Sequence, residues 1–318
     1  MLTYLKKGTA GFSGVSEGSS EAQWIIAESP NKEEIQQLVS TYQLPKDYIT
    51  SVLDEREMAR SEGNWRDTSQ LGALILIQYP TSSISPSGYM QLDTFPCSVI
   101  QTTNNQIITV TEGPCDFINE VRAQNFSHAQ VSTINAILFQ ILWHISKHYN
   151  DFLTKIIQEI DDLEGQLKIA TENNQLYQMM DIQKSLVYFE SALSENIRVM
   201  GHLYDTRKEA QETEHLPHLH DILVEMKQAL TTTRIQLKLV DQISSTFSAI
   251  VSNNLNIVMK ILTSLTVVLT IPTIVGGIYG MNVKLPFANR EDAFFWIFLI
   301  TIIVCIGVIR YLKKRNLL

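Results

Sequence analysis

Cysteine is scarce in this 318-residue chain, and Cys97, Cys115 and Cys305 stand too far apart for a disulfide framework or a zinc-type cluster. The first twenty residues, MLTYLKKGTAGFSGVSEGSS, hold no sustained apolar run, so no cleaved signal is expected. No Gly-rich phosphate loop, His-Glu-x-x-His or nucleophile elbow occurs, which argues against an enzyme and against an ATP site. Positive charge is also short over residues 1–256, where 18 Lys/Arg face 31 Asp/Glu for a balance of −13; seven Lys/Arg against two acids give +5 thereafter. A part so acidic does not want nucleic acid and attracts cations, although solubility is the plainer explanation.

What the chain does have is two long apolar runs near its C-terminal end. Ile261–Val283 holds 23 residues without a charge, enough to cross a hydrocarbon core that takes about 20 helical residues. Ala293–Ile309 holds 17, and Tyr311-Leu312 extend it past Arg310, which can snorkel. Lys260 and the Lys313-Lys314-Arg315 cluster place both termini in the cytoplasm by the positive-inside bias, against Lys284 and Arg290 in the loop. The roughly 255 residues before the first span are then expected to be cytoplasmic, and the lipid bilayer is an expected partner.

Short apolar or β-branched runs at 23–27, 73–79, 97–101 and 106–110 predict strands. Helical spacing predicts helices over 31–42 and 45–60, the first opened by Asn-x-x-Glu. From about Ser127 the pattern turns wholly helical: one long helix to Leu167, a second to about Tyr204, and a third from Pro217. No proline or glycine interrupts the third before Pro272, so one helix is expected from Pro217 to about Asn282.

The fold class expected is an α+β cytoplasmic domain, a mixed sheet with helices, followed by long stalk helices and two C-terminal transmembrane helices. The expected divisions are an α/β domain at 1–125, an antiparallel helical pair at 126–216, a stalk helix at 217–260 and a pore-lining span at 261–283. An outer loop at 284–292, a second span at 293–312 and a basic tail at 313–318 complete the chain.

Within the first span Thr263, Thr266, Thr270 and Thr273 follow steps of 3, 4 and 3, and Asn256, Met259 and Leu262 continue the same face below. Such a stripe suits a helix that lines water, and it suits helix packing equally, because threonine hydroxyls also return to backbone carbonyls. Pro272 and Gly276-Gly277 suggest a bend or a close helix approach.

The segment NIVMKILTSLTVVLTIPTIVGGIYGMN from Asn256 to Asn282, followed by a short loop, a second span and a basic tail, resembles the CorA family of divalent-cation channels. The resemblance implies a homopentamer with five first-span helices around one pore, passing Mg²⁺ inward and possessing no organic cofactor. It implies that Gly280, Met281 and Asn282 form the outer mouth, where Asn282 carbonyls receive the ion, and that Thr273, Thr270, Leu262, Met259 and Asn256 face the axis. Thr270 stands where many relatives place Met. Gating by Mg²⁺ held between neighbouring copies is implied too, with Asp221 as one carboxylate. The partner Glu-Asp pair of the family has no clear equivalent: Ile49-Thr50 stand there, with Asp54, Glu55 and Glu57 nearby.

Other polar groups have plain readings beside functional ones. Glu159, Asp161, Asp162 and Glu164 could concentrate cations or form a solvated helix end, and His215, His218 and His220 could bind a transition metal or lie on the surface of a helix start. Glu291-Asp292 could draw cations to the mouth against Lys284 and Arg290. The expectation is therefore a passive Mg²⁺ channel, open to Co²⁺ and Ni²⁺, driven by membrane potential. A zinc transporter of the same superfamily and a membrane-anchored coiled-coil tether or sensor are the alternatives.

Overall fold

The computed structural model describes residues 1–8, 11–19, 21–55, 57–65, 72–123, 133–167, 173–209, 216–281 and 292–315. The chain divides into two compact units, Met1–Ser244 and Ser245–Leu318.

The first unit is built on a mixed sheet of seven strands: β1 (Leu2–Gly8), β2 (Gly11–Gly14), β3 (Trp24–Glu28), β4 (Arg60–Glu62), β5 (Ala73–Ile84), β6 (Met90–Gln101) and β7 (Ile107–Thr111). They lie in the order β2-β1-β3-β7-β6-β5-β4, with β3 and β7 parallel and every other neighbouring pair antiparallel. The four strands read from apolar runs are all present and carry the middle of the sheet. β1, β2 and β4 were not anticipated.

Helix α1 (Lys32–Tyr42) starts on the expected capping box: Asn31 Oδ1 accepts from the Glu34 N–H at 2.8 Å, and Glu34 Oε2 accepts from the Asn31 N–H at 2.9 Å. Its Ile35 and Leu38 pack with Ile49 and Val52 against Ile25, Leu74, Leu76 and Ile108 of the sheet, which makes one apolar core. The helix expected over 45–60 is a correction. Only α2 (Asp47–Thr50) and a single 3₁₀ turn at Ser51–Leu53 form. Arg60, placed at the end of that helix from the sequence, instead opens β4 opposite Leu76. Its guanidinium gathers Asp47 at 2.6 Å, Glu62 at 2.5 Å, the Ser51 hydroxyl at 2.8 Å and Glu57. Satisfying one fork from four side chains draws the segment into a loop, which an extended helix cannot do.

Helix α3 (Asp116–Ala123), also unanticipated, buries Phe117, Ile118 and Val121. The long helices α4 (Thr133–Leu167) and α5 (Asn173–Glu209) follow. On α4, Ile134, Ile137, Ile141, Ile145, Ile156 and Ile160 are buried, the stripe read from the sequence. Tyr149 of α4 meets Phe189 of α5 edge to face at 4.9 Å between ring centroids.

Asn196 of α5 completes the sheet where β4 stops. β4 pairs with β5 only over Leu74–Leu76, so Gln78 lies beyond its end. The Gln78 N–H donates to Asn196 Oδ1 at 2.9 Å, and Asn196 Nδ2 donates back to the Gln78 carbonyl at 2.7 Å. Tyr149 adds its hydroxyl to the same carbonyl at 3.1 Å. A fully buried amide thus replaces one residue of the missing strand. Ser185, one turn region earlier on α5, likewise accepts from the Leu92 N–H of β6 at 2.8 Å.

Helix α6 (Leu216–Tyr279) runs unbroken through Pro272, and α7 (Ala293–Lys314) follows. In the first unit α6 buries Leu219, Ile222, Met226, Ala229, Val240 and Ile243. In the second, both helices are long and apolar enough to cross a membrane, and those stretches are almost wholly exposed, unlike the core helix of a soluble domain.

Replacing Asn196 by Ala should orphan the buried Gln78 N–H and destabilise the first unit by about 2 kcal/mol. A lower thermal midpoint of the purified full-length chain checks it, and an unchanged midpoint refutes the strand-substitute role.

Candidate functional site

An α-helix turns about 100° per residue, so positions can be placed around α6 by arithmetic. Asn256, Met259, Leu262, Thr263, Thr266, Thr270 and Thr273 then fall within an arc of about 120°. All seven are exposed. The side of α6 that this second unit covers is different. Ser264 is buried there, Val268, Ile271 and Val275 are half-buried, and Cys305 of α7 brings its Sγ to 4.0 Å from the Val268 carbonyl oxygen. The centre of that covered side lies about 150° around the helix from the centre of the polar stripe. Within one chain, therefore, α7 takes the face away from the threonines.

The hydroxyls themselves point their hydrogens inward along the helix. Thr266 donates to the Leu262 carbonyl at 2.8 Å, Thr270 to Thr266 at 2.7 Å and Thr273 to Leu269 at 2.9 Å. This is the back-bonding that lets threonine sit in an apolar helix. With the hydrogen committed, each exposed oxygen keeps only acceptor capacity toward whatever faces it.

Helical hydrogen bonding carries past Tyr279: the Gly280 N–H donates to Gly276 at 2.9 Å and the Met281 N–H to Ile278 at 3.2 Å. Met281 is exposed. Asn282, and with it the side chain expected to receive the ion, lies outside the described residues, as do Lys284, Arg290 and Glu291. Asp292 accepts from the Trp296 indole at 2.9 Å. A Cβ added at Gly276 or Gly277 would meet nothing within 4 Å, so the close approach expected at these glycines is not made inside this chain.

In the first unit Asp221 is exposed in the opening turns of α6, beside a cleft of about 240 Å³ shared with Phe139, Gln140, Trp143, His218 and Ile222. Among the described residues no second carboxylate lines it. Of the acids expected nearby, Glu57 is held by Arg60 and Glu55 lines a different cavity. Ile49 is core. The histidines do not converge either. His215 lies outside the described residues, His218 stacks on Phe139 at 6.0 Å, and His220 faces Tyr204 at 6.2 Å. Glu159 is half-buried, and burial together with Asp162 raises its carboxyl above the usual range. Among the described residues no group of three or more metal-ligating side chains is poised for an ion.

One cluster had no signal in the sequence reading. Glu120 of α3 places one carboxylate oxygen 2.8 Å from His144 Nδ1 and the other 3.1 Å from His148 Nε2, two histidines one turn apart on α4. Burial lowers the His144 imidazole below its ordinary value, and Lys147 and His148 push the same way, against the pull of Glu120.

Two long apolar helices, one with a polar face left open by the other, define a two-span membrane protein. The family described as CorA-like Mg²⁺ transporter protein matches residues 19–314, and the chain belongs to it. The cobalt/magnesium transport protein CorA of Methanocaldococcus jannaschii is 24% identical over 309 residues, 92% of this chain and 90% of that one. The magnesium transport protein CorA of Helicobacter pylori J99 is 21% identical over 98% of this chain and 96% of its own. Among solved structures, the complete CorA magnesium transporter of Methanocaldococcus jannaschii superposes with a TM-score of 0.81 at 20% identity, covering 99% of this chain and 98% of that one. That likeness establishes the shared fold.

A histidine whose pKa is lowered by folding is neutral in the native state while the unfolded chain still takes a proton. Its contribution to stability is full above about 6.5 and is lost as pH falls from there through the lower native value. Thermal melts from pH 7.5 to 5 should show this loss, and His144→Asn, which cannot titrate, should flatten the slope; an equal slope in both proteins refutes it.

Proposed function

We propose that this chain forms a passive channel for divalent cations, carrying Mg²⁺ inward and accepting Co²⁺ and Ni²⁺, as a homopentamer with both termini in the cytoplasm. The observation that carries the reading is the stripe of back-bonded threonines on the face of α6 that α7 leaves open. Five such faces turned inward make rings of acceptors, and the second spans fall on the outside. Membership of the CorA-like family and the names of its relatives support Mg²⁺ and Co²⁺ as cargo.

The physical chemistry is consistent at each level. Mg²⁺ dehydrates reluctantly, and its bound waters present hydrogens, so a wall that offers only oxygen lone pairs holds the hydrated ion without stripping it. Gly280, Met281 and Asn282 form the mouth in this reading, with the Asn282 carbonyl as the first acceptor. Neutral ligands bind weakly enough for the ion to leave. A divalent ion moving inward gains about 4.6 kcal/mol per 100 mV of inside-negative potential, twice the single-charge value, so no chemical fuel is needed.

Asn282→Ala should abolish Mg²⁺ uptake into proteoliposomes with the oligomer intact. Thr270→Val, which keeps the shape and removes the oxygen, should lower flux by about tenfold, the effect of one lost hydrogen bond to a charged species. Flux equal to that of the parent protein in both variants contradicts a pore along this face.

Gating is assigned to Asp221, exposed beside its cleft. An ion there, shared with a neighbouring copy, offsets carboxylate repulsion and holds the pore shut when internal Mg²⁺ is high. Asp221→Ala should then leave flux insensitive to Mg²⁺ inside the vesicle; inhibition at the same internal concentration as in the parent protein rules Asp221 out.

A further inference from the structure

A cavity of about 500 Å³ opens in the first unit between β5, β6, α5 and the loop before β4, and none of its lining residues belongs to α6. Nothing in the ion-conduction reading uses it. Its volume lies within the range of small-molecule pockets. Three carboxylates, from Glu55, Asp93 and Glu195, share its wall with a single ammonium, Lys184. Glu195 is already paired with Arg198. Asp93 accepts from the Gln91 side-chain amide at 2.9 and 3.1 Å, and an ionised carboxylate with about four lone-pair positions has capacity left.

Acids on a wall are not by themselves a site, and the second observation is Gln78. It lines the same cavity with only 7% of its surface exposed. Its Nε2 donates to the Glu57 carbonyl, which fixes the orientation of the amide. Its buried Oε1 then receives no hydrogen bond. A buried acceptor without a donor is uncommon in native proteins and calls for a group that supplies one.

The wall chooses between kinds of cation. Met58, Phe95, Tyr188 and Ala192 give it an apolar side. A hydrated metal ion gains nothing from such a surface, whereas an alkyl stem is buried by it and leaves a charged head free for the acceptors. The aromatic part already tolerates an ammonium, because Lys184 Nζ stands 5.5 Å from the centre of the Tyr188 ring.

We propose that this cavity binds a small organic cation, an alkylammonium or guanidinium on a stem of a few carbons. The head donates to Gln78 Oε1 and to the Asp93 and Glu55 carboxylates, and the stem lies on Met58 and Phe95.

The test is calorimetric titration of n-butylammonium chloride into the full-length protein in detergent at constant ionic strength, with n-butanol and MgCl₂ titrated in parallel. Saturable butylammonium binding is expected, with affinity about tenfold weaker in Glu55→Gln and in Asp93→Asn, the loss of one charge-assisted contact. Butanol should give no isotherm. The Asn282→Ala protein should bind butylammonium as the parent does, which separates this cavity from any cation at the pore mouth. Glu55 is exposed, so Glu55→Gln leaves the fold intact and keeps the test decisive. Absence of saturable binding overturns the proposal, as does equal binding of butanol or an affinity unchanged in both variants. A Mg²⁺ isotherm that disappears in the same two variants assigns the cavity to a metal and also overturns it.

Discussion

Everything in the second unit depends on where three hydroxyl hydrogens go. An apolar span tolerates oxygen only if its hydrogen-bonding capacity is met locally, since hydrocarbon offers no partner. Thr266, Thr270 and Thr273 meet the donor half of that demand by bonding one turn back. The acceptor half stays open, on one face. A span can thereby be apolar enough to insert and still present a line of oxygens to water. Valine in these positions would keep the helix and lose the line; serine would keep the oxygen with less apolar cover. Threonine supplies both, because its methyl group shields the back-bonded hydroxyl.

The choice of covered face gives that line its meaning. Had α7 packed on the threonines, the same hydroxyls would read as helix-packing groups. Instead Ser264, Val268, Ile271 and Val275 take the cover, and the stripe is turned away. Gly276 and Gly277 are open to contact as well, with no atom of the same chain within 4 Å of where a Cβ would stand. Small residues without a neighbour in an apolar helix suit the close approach of another helix.

Much of this was legible in the sequence, and the parts that were not share a cause. β3, β5, β6 and β7 announce themselves as short apolar runs between turn residues, and the stripe on α6 appears as soon as steps of three and four are counted. β1 hides because Lys6, Lys7 and Gly8 dilute a strand that buries only Tyr4 and Leu5. β4 is three polar residues, Arg-Ser-Glu, and exists only because Leu74–Leu76 offers it an edge. Which side of α6 is covered could not be read, since apolar residues surround the span on every side but one. The Glu120 pair with His144 and His148 joins residues 24 and 28 positions apart, a meeting that only the packing of α3 on α4 decides.

The same reasoning separates the acids of the first unit into two kinds. Asp47, Glu57 and Glu62 converge on Arg60, a cation that is covalently present and does not deprotonate in the working range. Their repulsion is relieved at all times, so no dissolved ion is needed and none can regulate them. Asp221 has no such fixed partner lining its cleft among the described residues, and its neighbours there are aromatic or amide groups. A cation that binds at Asp221 must therefore find its second charge outside the set that this one chain brings to the cleft. Sensitivity to ion concentration belongs with a contact of that kind, because a charge supplied from solution can leave and one supplied by an arginine cannot.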